Sequence, residues 1–383
     1  MEPRLPPNDH TIMTDASQRA GAILTIDLDA IIANWRFLDA RVSPGARAAA
    51  VVKGDSYGLG AAAIAPALLA AGCNRFFVAT LDEGLALRPL LGQADIAVLS
   101  GPLPGCEEDF LEAGLLPVLN SRDQVDLWRD LAHNRGRSLP SVLHVDTGMS
   151  RLGLRYAEAE SLAEDGDTMA AIAPVLVMSH LACADDVAHP MNRQQLVAFR
   201  AARALFPGIP GSLSASSGIF LGPEWHADWC RPGAALYGLR PNDQGPNPMT
   251  PVVRLDARIL QVRDIDAGEC VGYGATHRAD RRGKLATVGV GYADGLFRTL
   301  GNCGWGYLGE HRVPLVGRVS MDLVVFDVTG LPAGLAKSGA MINLIGQGNS
   351  LDDVGKAAGT IGYEILTALG NRYHRHYLGG SRS

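Results

Sequence analysis

The chain has 383 residues, 47% of them hydrophobic and 19% charged, which is typical of a soluble globular protein with two domains or one large barrel plus an extension. Its net charge of −6 gives no positive surface for nucleic acid or for an anionic membrane, so neither is expected as a partner. No apolar stretch is long enough to span a bilayer.

The six cysteines are scattered along the chain, and none of them forms a CxxC pair. This spacing argues against a zinc site and a disulfide framework, and it suits a reducing compartment. Residues 1–19 are polar and contain proline, unlike a secretory signal. We therefore expect a cytoplasmic protein that binds no metal.

Residues 1–21 are predicted to be a disordered leader, after which short apolar runs alternate with amphipathic or alanine-rich segments. The runs predicted as strands are 23–26, 48–52, 76–79, 96–99, 116–119, 141–145, 175–178 and 212–215. The segments predicted as helices include 28–38, 61–71, 121–133, 157–163 and 191–205. Eight strand–helix units predict an α/β fold, a (β/α)8 TIM-type barrel over residues 22–245. A doubly wound parallel sheet is the alternative, weakened because no GxGxxG follows the first run.

The alternation of strands and helices stops at a turn-rich linker at residues 240–248, which marks a domain boundary. Apolar runs separated by glycine and proline follow, at 253–262, 285–290, 313–316, 323–328 and 341–345. Two helical segments, 351–358 and 364–369, close the chain. Residues 246–383 are therefore predicted to form a C-terminal mainly β domain.

Polar side chains follow several of the predicted barrel strands. Lys53 follows the second run, residues 144–151 the sixth, His180 the seventh and Ser216 the eighth. Because barrel active sites lie at the carboxyl ends of the strands, we expect these groups to converge on one rim.

Lys53 is the candidate nucleophile of this rim. An apolar run delivers it onto a glycine-rich turn, where partial desolvation disfavours the ammonium form. The neutral amine could then attack a carbonyl to form a Schiff base. A lysine at a strand end is more often an ordinary surface residue, so the surrounding motifs decide the interpretation.

Segment 51–60, VVKGDSYGLG, resembles the cofactor-lysine motif of bacterial alanine racemases. Other motifs similar to those of that family follow in the family's order: 146–153 DTGMSRLG, 179–182 SHLA, 216–218 SSG, 231–234 RPGA, 271–276 VGYGAT, 317–322 GRVSMD and 362–364 GYE. The resemblance implies a barrel followed by a mainly β domain. It also implies pyridoxal 5'-phosphate bound to Lys53 as an aldimine, and a head-to-tail homodimer.

The resemblance assigns cofactor contacts to several residues. Arg151 would hydrogen-bond the cofactor phenolate and orient the substrate carboxylate, His180 would stack on the pyridine ring, and Arg231 would donate to the ring nitrogen. The phosphate would be held by Ser216, Gly233, Ala234, Tyr57 and Tyr363. A guanidinium only donates, which makes the ring a weaker electron sink and suits racemisation.

Inversion of Cα by two bases needs one group on each face of a planar intermediate. By resemblance, Lys53 serves the D side, and Tyr273 of the partner subunit serves the L side. The backbone amide of Met321 would bind the substrate carboxylate. The active sites would thus be shared between the two subunits.

His144 is the clearest departure from the family pattern. Many members carry a carbamylated lysine at this position, whose anion holds the arginine that corresponds to Arg151. An imidazole forms no such stable carboxylate. We therefore expect an enzyme that needs no carbon dioxide, with Arg151 held by another acceptor such as chloride or a nearby carboxylate.

The resemblance implies an alanine racemase that interconverts L-alanine and D-alanine for peptidoglycan. A racemase of the same fold with broader or serine specificity remains open. A decarboxylase on the same barrel is less favoured because it would place a carboxylate where Arg231 stands. A non-catalytic carrier of pyridoxal phosphate would need no second base and is disfavoured by Tyr273.

Overall fold

Eight short parallel strands form a closed barrel in the first domain of the structure, a computed structural model that describes residues 15–346 and 348–380. Seven strands are hydrogen-bonded in chain order, and an eighth, Trp229–Cys230, pairs with Arg47–Ala48 and returns the sheet to its first strand. The Arg231 amide donates to Ser214 O at 2.8 Å and joins the eighth strand to the seventh. The strands are Arg47–Ala48 continuing as Ala50–Val51, Arg75–Val78, Asp95–Val98, Leu116–Leu119, Ser141–His144, Pro174–Met178, Gly211–Ser212 and Trp229–Cys230.

Burial on both faces explains why these strands are nearly continuous apolar runs. Their outward side chains pack under the helices in a core that continues into the second domain. Their inward side chains fill the barrel; they are Ala49, Val51, Phe77, Ala97, Val118, Val142, Leu176 and Met178. The barrel interior is therefore a packed core, and a large cavity lies at the carboxyl ends of the strands.

Several barrel helices begin after a residue whose side chain accepts a hydrogen bond from one of the first backbone amides. Asp27, Thr80 and Ser121 each accept a hydrogen bond from the first turn of the helix that follows. The helices are Leu28–Arg41, Ala61–Ala70, Leu81–Leu91, Glu107–Glu112, Arg122–Arg135, Tyr156–Glu164, Gly166–Ile172 and Pro190–Ala204. The five helices predicted in this domain are confirmed. Among the helices of the described residues, none is both long and apolar enough to cross a membrane.

The prediction that the barrel begins at residue 22 is wrong, because the first strand belongs to the other domain's sheet. Ala22–Asp27 pairs antiparallel with Val253–Ile265 and parallel with His374–Leu378. Its side chains alternate between buried and half-buried, which is typical of a sheet with one covered face. The count of eight barrel strands survives because Trp229–Cys230, which is too short to stand out in the sequence, takes the eighth place.

The predicted disordered leader lies outside the described residues at positions 1–14. It is wrong for Asp15–Arg19, which forms a short helix. Arg258 of the second domain donates to Ser17 O at 3.2 Å and to Ala20 O at 3.2 Å, so this segment is tied to the folded protein.

The second domain is mainly β, as predicted, and the fold class is confirmed. Its strands are Val253–Ile265, Cys270–Val271, His277–Arg278, Gly283–Val288, Trp305–Leu308, His311–Pro314, Val324–Asp327, Met341–Ile345 and His374–Leu378, with helices Leu351–Ala358 and Gly362–Ala368. The sequence did not predict four of these strands: Cys270–Val271, His277–Arg278, Trp305–Leu308 and His374–Leu378. The domain boundary after residue 245 stays a prediction.

The first barrel strand leads directly into a turn of left-handed backbone. Residues Gly54, Asp55, Ser56 and Tyr57 have φ values of 62°, 53°, 54° and 56°, and we call them the left-handed turn. The second domain supports its far end, where Arg375 donates to Gly58 O at 2.7 Å and Tyr377 donates to Leu59 O at 2.8 Å. Lys53 is therefore presented to the cavity by both domains.

Gly58 lies directly against the backbone of the second domain. Its φ is +84°, and a Cβ there would lie 2.6 Å from Leu366 O. Gly45 has a similar φ of +89°, but a Cβ there would meet nothing within 4 Å. Both glycines avoid the backbone strain of a side chain, whereas only Gly58 avoids a collision with backbone.

Gly58→Ala should therefore lower the free energy of unfolding by about 1–3 kcal/mol more than Gly45→Ala does. Denaturant unfolding of the two variants measures the difference. Equal losses would mean that the close approach at Gly58 contributes nothing to stability.

Candidate active site

One cavity of about 2000 Å³ opens at the carboxyl ends of the barrel strands. Of the eleven residues to which the family resemblance assigned a catalytic or binding role, nine line it: Lys53, Tyr57, Arg151, His180, Ser216, Arg231, Gly233, Ala234 and Tyr363. The expectation that polar residues at or after the strand ends lie close together is therefore confirmed for these nine. Their individual roles stay predictions.

Lys53 lines this cavity and is half-buried. Burial lowers the pKa of its ammonium group, and the positive charges of Arg151 and Arg231 lower it further, while Glu83 acts in the opposite direction. The ammonium group therefore gives up its proton to form the neutral amine more easily here than in water. This is the environment in which a lysine acts as a nucleophile or a base.

Arg231 is buried and held rigidly by carbonyl oxygens. Its Nη1 donates to Ser212 O at 2.9 Å, and its Nη2 donates to Ser179 O at 2.6 Å. Burial lowers the pKa of the guanidinium to about 10, so it remains a cation at neutral pH. Its Nε–H is the donor for which the described residues provide no acceptor.

His180 is a neutral imidazole beside this cation. Burial, followed by the charges of Arg231 and Arg151, lowers the pKa of His180 to about 3. Its Nδ1 lies 3.3 Å from Arg231 Nη2. Because a guanidinium can only donate, Nδ1 accepts this hydrogen bond and the ring proton lies on Nε2.

His144 lines the same cavity, and the side-chain amide of Asn120 fixes its tautomer. Asn120 Nδ2 donates to Leu99 O at 3.0 Å and to Val118 O at 2.8 Å, which leaves Asn120 Oδ1 facing His144 Nδ1 at 2.7 Å. That oxygen only accepts, so Nδ1 carries the proton and Nε2 has a free lone pair. Burial, with the charges of Arg231 and Arg151, lowers the pKa of His144 to about 4, so the ring is neutral.

The sequence did not predict a role for Asn120 or for its hydrogen-bond partner Gln124. Gln124 Oε1 accepts from the Asn120 amide at 2.8 Å, and Gln124 Nε2 donates to Ser100 O at 2.8 Å. Asn120 directly follows the strand Leu116–Leu119, so the strand-end rule could have found it. Gln124 lies on a helix and gives no such signal.

A group of amides and hydroxyls forms a cup at the ends of the seventh and eighth strands. Ser216 Oγ accepts from the Gly233 amide at 3.0 Å and from the Ala235 amide at 3.1 Å. The Ala234 amide begins a 3-10 helix and has no intrahelical acceptor. Tyr57 and Tyr363 pack edge to face across the cup with ring centroids 6.4 Å apart. Such a cup suits an anion.

Arg151 has no carboxylate partner among the hydrogen bonds of the described residues. Asp146 is the carboxylate nearest to Arg151 in sequence. It instead accepts hydrogen bonds from the Gly148 amide at 2.9 Å and the Ser150 amide at 3.1 Å. The described residues of one chain therefore do not support the expectation that a nearby carboxylate holds Arg151. Chloride as the acceptor stays a prediction.

Tyr273 and Met321 do not line the cavity of their own chain. Tyr273 is 72% exposed, and Met321 is 54% exposed. Tyr273 starts the 3-10 helix Tyr273–Ala275 on the surface of the second domain. One chain alone therefore presents the lysine without the tyrosine.

Among the described residues, no group of three or more histidine, cysteine, aspartate or glutamate side chains is arranged to hold a metal ion. The cavity instead gathers three cations, Lys53, Arg151 and Arg231, around neutral imidazoles. Its chemistry is that of a site for an anionic organic ligand with a reactive amine at the base.

Comparison with known proteins gives a consistent family. The family models for the alanine racemase N-terminal and C-terminal domains match residues 26–241 and 252–377. The chain is 54% identical to the alanine racemase of Rhodospirillum rubrum over 94% of this chain and 97% of that one, and 51% identical to a catabolic alanine racemase of Mesorhizobium japonicum over 94% of each. A crystal structure of the Bartonella henselae alanine racemase with covalently bound pyridoxal phosphate superposes with a TM-score of 0.90 at 42% identity, covering 94% of this chain and 100% of that one.

The neutral state of His144 makes stability depend on pH. The pKa of histidine in the unfolded chain is near its ordinary 6.5, above the folded value of about 4, so the unfolded state binds the proton first as pH falls. The stability that His144 contributes is present above about pH 6.5 and is lost as the pH falls toward 4. At about pH 4.5 the loss is roughly 2–3 kcal/mol.

His144→Gln keeps a donor toward Asn120 but cannot ionise. Its free energy of unfolding should therefore fall less than that of the unmodified protein between about pH 7 and about pH 4.5, by roughly 2–3 kcal/mol. Denaturant unfolding at both pH values tests this, with the exposed His133→Gln as the control. Identical pH losses in all three proteins would contradict the neutral, buried state of His144.

Proposed function

The chain belongs to the alanine racemase family of isomerases, and from that premise we propose that it interconverts L-alanine and D-alanine with pyridoxal 5'-phosphate held on Lys53 and one base on each face of the substrate. The observation that carries the proposal is the convergence of Lys53, Arg151 and Arg231 on one cavity. The enzyme would act as a homodimer in the cytoplasm and supply D-alanine for peptidoglycan.

The residues of the cavity fit this cofactor. A Cβ at Gly233 would lie 2.3 Å from the Tyr57 hydroxyl, so glycine keeps the cup open for a phosphate between backbone amides and tyrosine hydroxyls. The residues that would hold the phosphate are Ser216, Gly233, Ala234, Tyr57 and Tyr363. When bound, pyridoxal phosphate supplies a ring that withdraws electrons and acidifies the Cα–H of an amino acid. The related Bartonella henselae enzyme holds it covalently, which supports the same attachment here.

Arg231 would contact the nitrogen of the cofactor ring, and His180 would pack on one face of that ring. The free Nε–H of Arg231 would donate to the ring nitrogen, and a donor-only partner leaves that nitrogen without a proton. Arg231 would thereby restrain electron withdrawal, which favours return of the proton to Cα over side reactions. The neutral ring of His180 can stack on the cofactor without adding positive charge.

Lys53 would move the proton on the D side of the substrate. Its lowered pKa would let Nζ accept a proton from Cα of a bound amino acid and return it. Arg151 would orient the substrate carboxylate through its permanently charged guanidinium. Lys53 comes just after a barrel strand, and Arg151 lies in the loop that follows the strand Ser141–His144.

Tyr273 would serve the L side from the partner subunit. The proposal is supported by its exposure, since a catalytic tyrosine that is 72% exposed in one chain needs a second chain to enclose it. Met321, which is 54% exposed on the same domain, would reach the substrate carboxylate through its amide in the same way. Each active site would then combine the barrel of one subunit with the second domain of the other.

The cofactor attachment can be tested on the four lysines of the chain, which are Lys53, Lys284, Lys337 and Lys356. Borohydride reduction of the protein loaded with pyridoxal phosphate should fix the cofactor on the peptide that contains Lys53, because burial and the charges of Arg151 and Arg231 lower the pKa of its ammonium group. Peptide mass spectrometry locates the label, and circular dichroism follows racemisation of alanine, serine, lysine and arginine. A label on Lys284, or loading without racemisation of alanine, would reject the proposal.

The second base can be tested with Tyr273→Phe. Loss of the phenolic oxygen should slow removal of the α-proton from L-alanine at least about 10²-fold, with a much smaller effect on D-alanine. Isotope exchange from each enantiomer measures the two rates, and Tyr156→Phe, an exposed tyrosine of the barrel, is the control. Equal losses for both enantiomers would reject Tyr273 as a base for one face.

Sharing of the sites between subunits adds a companion measurement. A mixture of inactive Lys53→Ala and Tyr273→Phe proteins should regain activity, because one of the two sites in a mixed dimer contains both unmodified residues. A mixture as inactive as its components would place Lys53 and Tyr273 on the same chain's site.

A further inference from the structure

Glu83 makes an unusual set of contacts beside the catalytic lysine. It is the third residue of the helix Leu81–Leu91, which follows the barrel strand next to that of Lys53. Its Oε2 accepts from the Ala79 amide at 2.7 Å and the Thr80 amide at 3.4 Å, while its Oε1 accepts from the Gly54 amide at 2.7 Å. One carboxylate thus joins two neighbouring strand ends.

The Gly54 amide is the first N–H of the left-handed turn, directly after Lys53. Hydrogen bonds from amides to a carboxylate are short and strong, so this contact fixes where the turn begins. An ordinary helix cap would satisfy only the amides at the start of its own helix. The bond from Oε1 to Gly54, 29 positions earlier in the chain, is additional.

The carboxylate of Glu83 also interacts electrostatically with the ammonium group of Lys53. The charged or titratable groups that face Lys53 are Arg151 and Arg231, the neutral His180, and Glu83. Burial and the two arginines lower the pKa of Lys53, whereas Glu83 raises it. Glu83 is the one carboxylate in this set.

Resting on the proposed role of Lys53, we propose that Glu83 is a positioning residue for this lysine: its two carboxylate oxygens clamp the left-handed turn to the adjacent strand end and so aim Nζ into the cavity. The clamp requires two acceptors on one side chain. In Glu83→Gln the amide oxygen can still accept from one side, but the NH2 group then faces a backbone N–H, donor against donor. Glu83→Asp keeps both acceptors and the charge, but it is one methylene too short to reach both strand ends.

Capture of pyridoxal phosphate by the cofactor-free, full-length protein tests the clamp. The neutral Nζ attacks the aldehyde carbon and forms a C=N bond with loss of one water, so the rate rises with pH to a plateau. The plateau reports the position of Nζ, and the midpoint reports its pKa. Visible absorbance follows the capture in the unmodified protein, Glu83→Gln, Glu83→Asp and the control Glu158→Gln.

Glu158 is a matched control because it accepts from the Arg155 amide at 2.7 Å at the start of the helix Tyr156–Glu164, with no bond to the lysine turn. Both Glu→Gln changes weaken one helix start, so a general loss of stability appears in both. A second readout is acetylation of lysines by acetic anhydride without cofactor, in which Lys284, Lys337 and Lys356 serve as internal references.

Glu83→Gln should lower the plateau rate at least about tenfold and move the midpoint to lower pH, since the charge that raises the pKa of Lys53 is gone. Glu83→Asp should lower the plateau with the midpoint unchanged, and Glu158→Gln should change neither. If both Glu83 variants behave like Glu158→Gln, the clamp is rejected while the function of Lys53 stands. If the unmodified protein captures the cofactor on another lysine, the proposed function fails and the role of Glu83 fails with it.

Discussion

The left-handed turn after Lys53 is the constraint on which the rest of the site depends. Three of its four residues carry side chains, and each costs about 1–2 kcal/mol in this conformation. Such strain persists only where the surroundings enforce it. Here Glu83 holds the beginning of the turn, and Arg375 and Tyr377 of the second domain hold its end. The two domains are thus joined at the point where the reactive amine is presented.

Charge is the second constraint on the cavity. Lys53, Arg151 and Arg231 already place three cationic groups around one space, and a protonated imidazole would add to their repulsion. Burial keeps His144 and His180 neutral, and hydrogen bonds assign the proton to Nδ1 of the first and Nε2 of the second. The cavity therefore suits a dianionic phosphate and a carboxylate, and its lysine loses a proton readily.

The sequence predicted much of this arrangement because buried parallel strands leave polar residues mainly at their ends, as with Lys53, Arg151 and Ser216. It misplaced Ala22–Asp27, since an apolar run does not reveal which sheet it joins, and it missed Trp229–Cys230, which is only two residues long. The cap of Glu83 on Thr80 is readable from the spacing of those residues, but its bond to Gly54 depends on how neighbouring strands meet. The prediction that Tyr273 acts from a second subunit rested on family resemblance, since nothing in the spacing of the sequence indicates it.

In the proposed mechanism two different residues exchange the α-proton, Lys53 on one face and Tyr273 of a partner subunit on the other. Racemisation of L-alanine in deuterium oxide, followed by NMR at low conversion, distinguishes two bases from one. We expect the D-alanine formed to carry deuterium at Cα while the remaining L-alanine keeps its proton, because the base that removes the proton is not the one that returns it. D-alanine that retains the substrate's own proton would mean that a single base serves both faces, and the assignment of two bases would then be wrong.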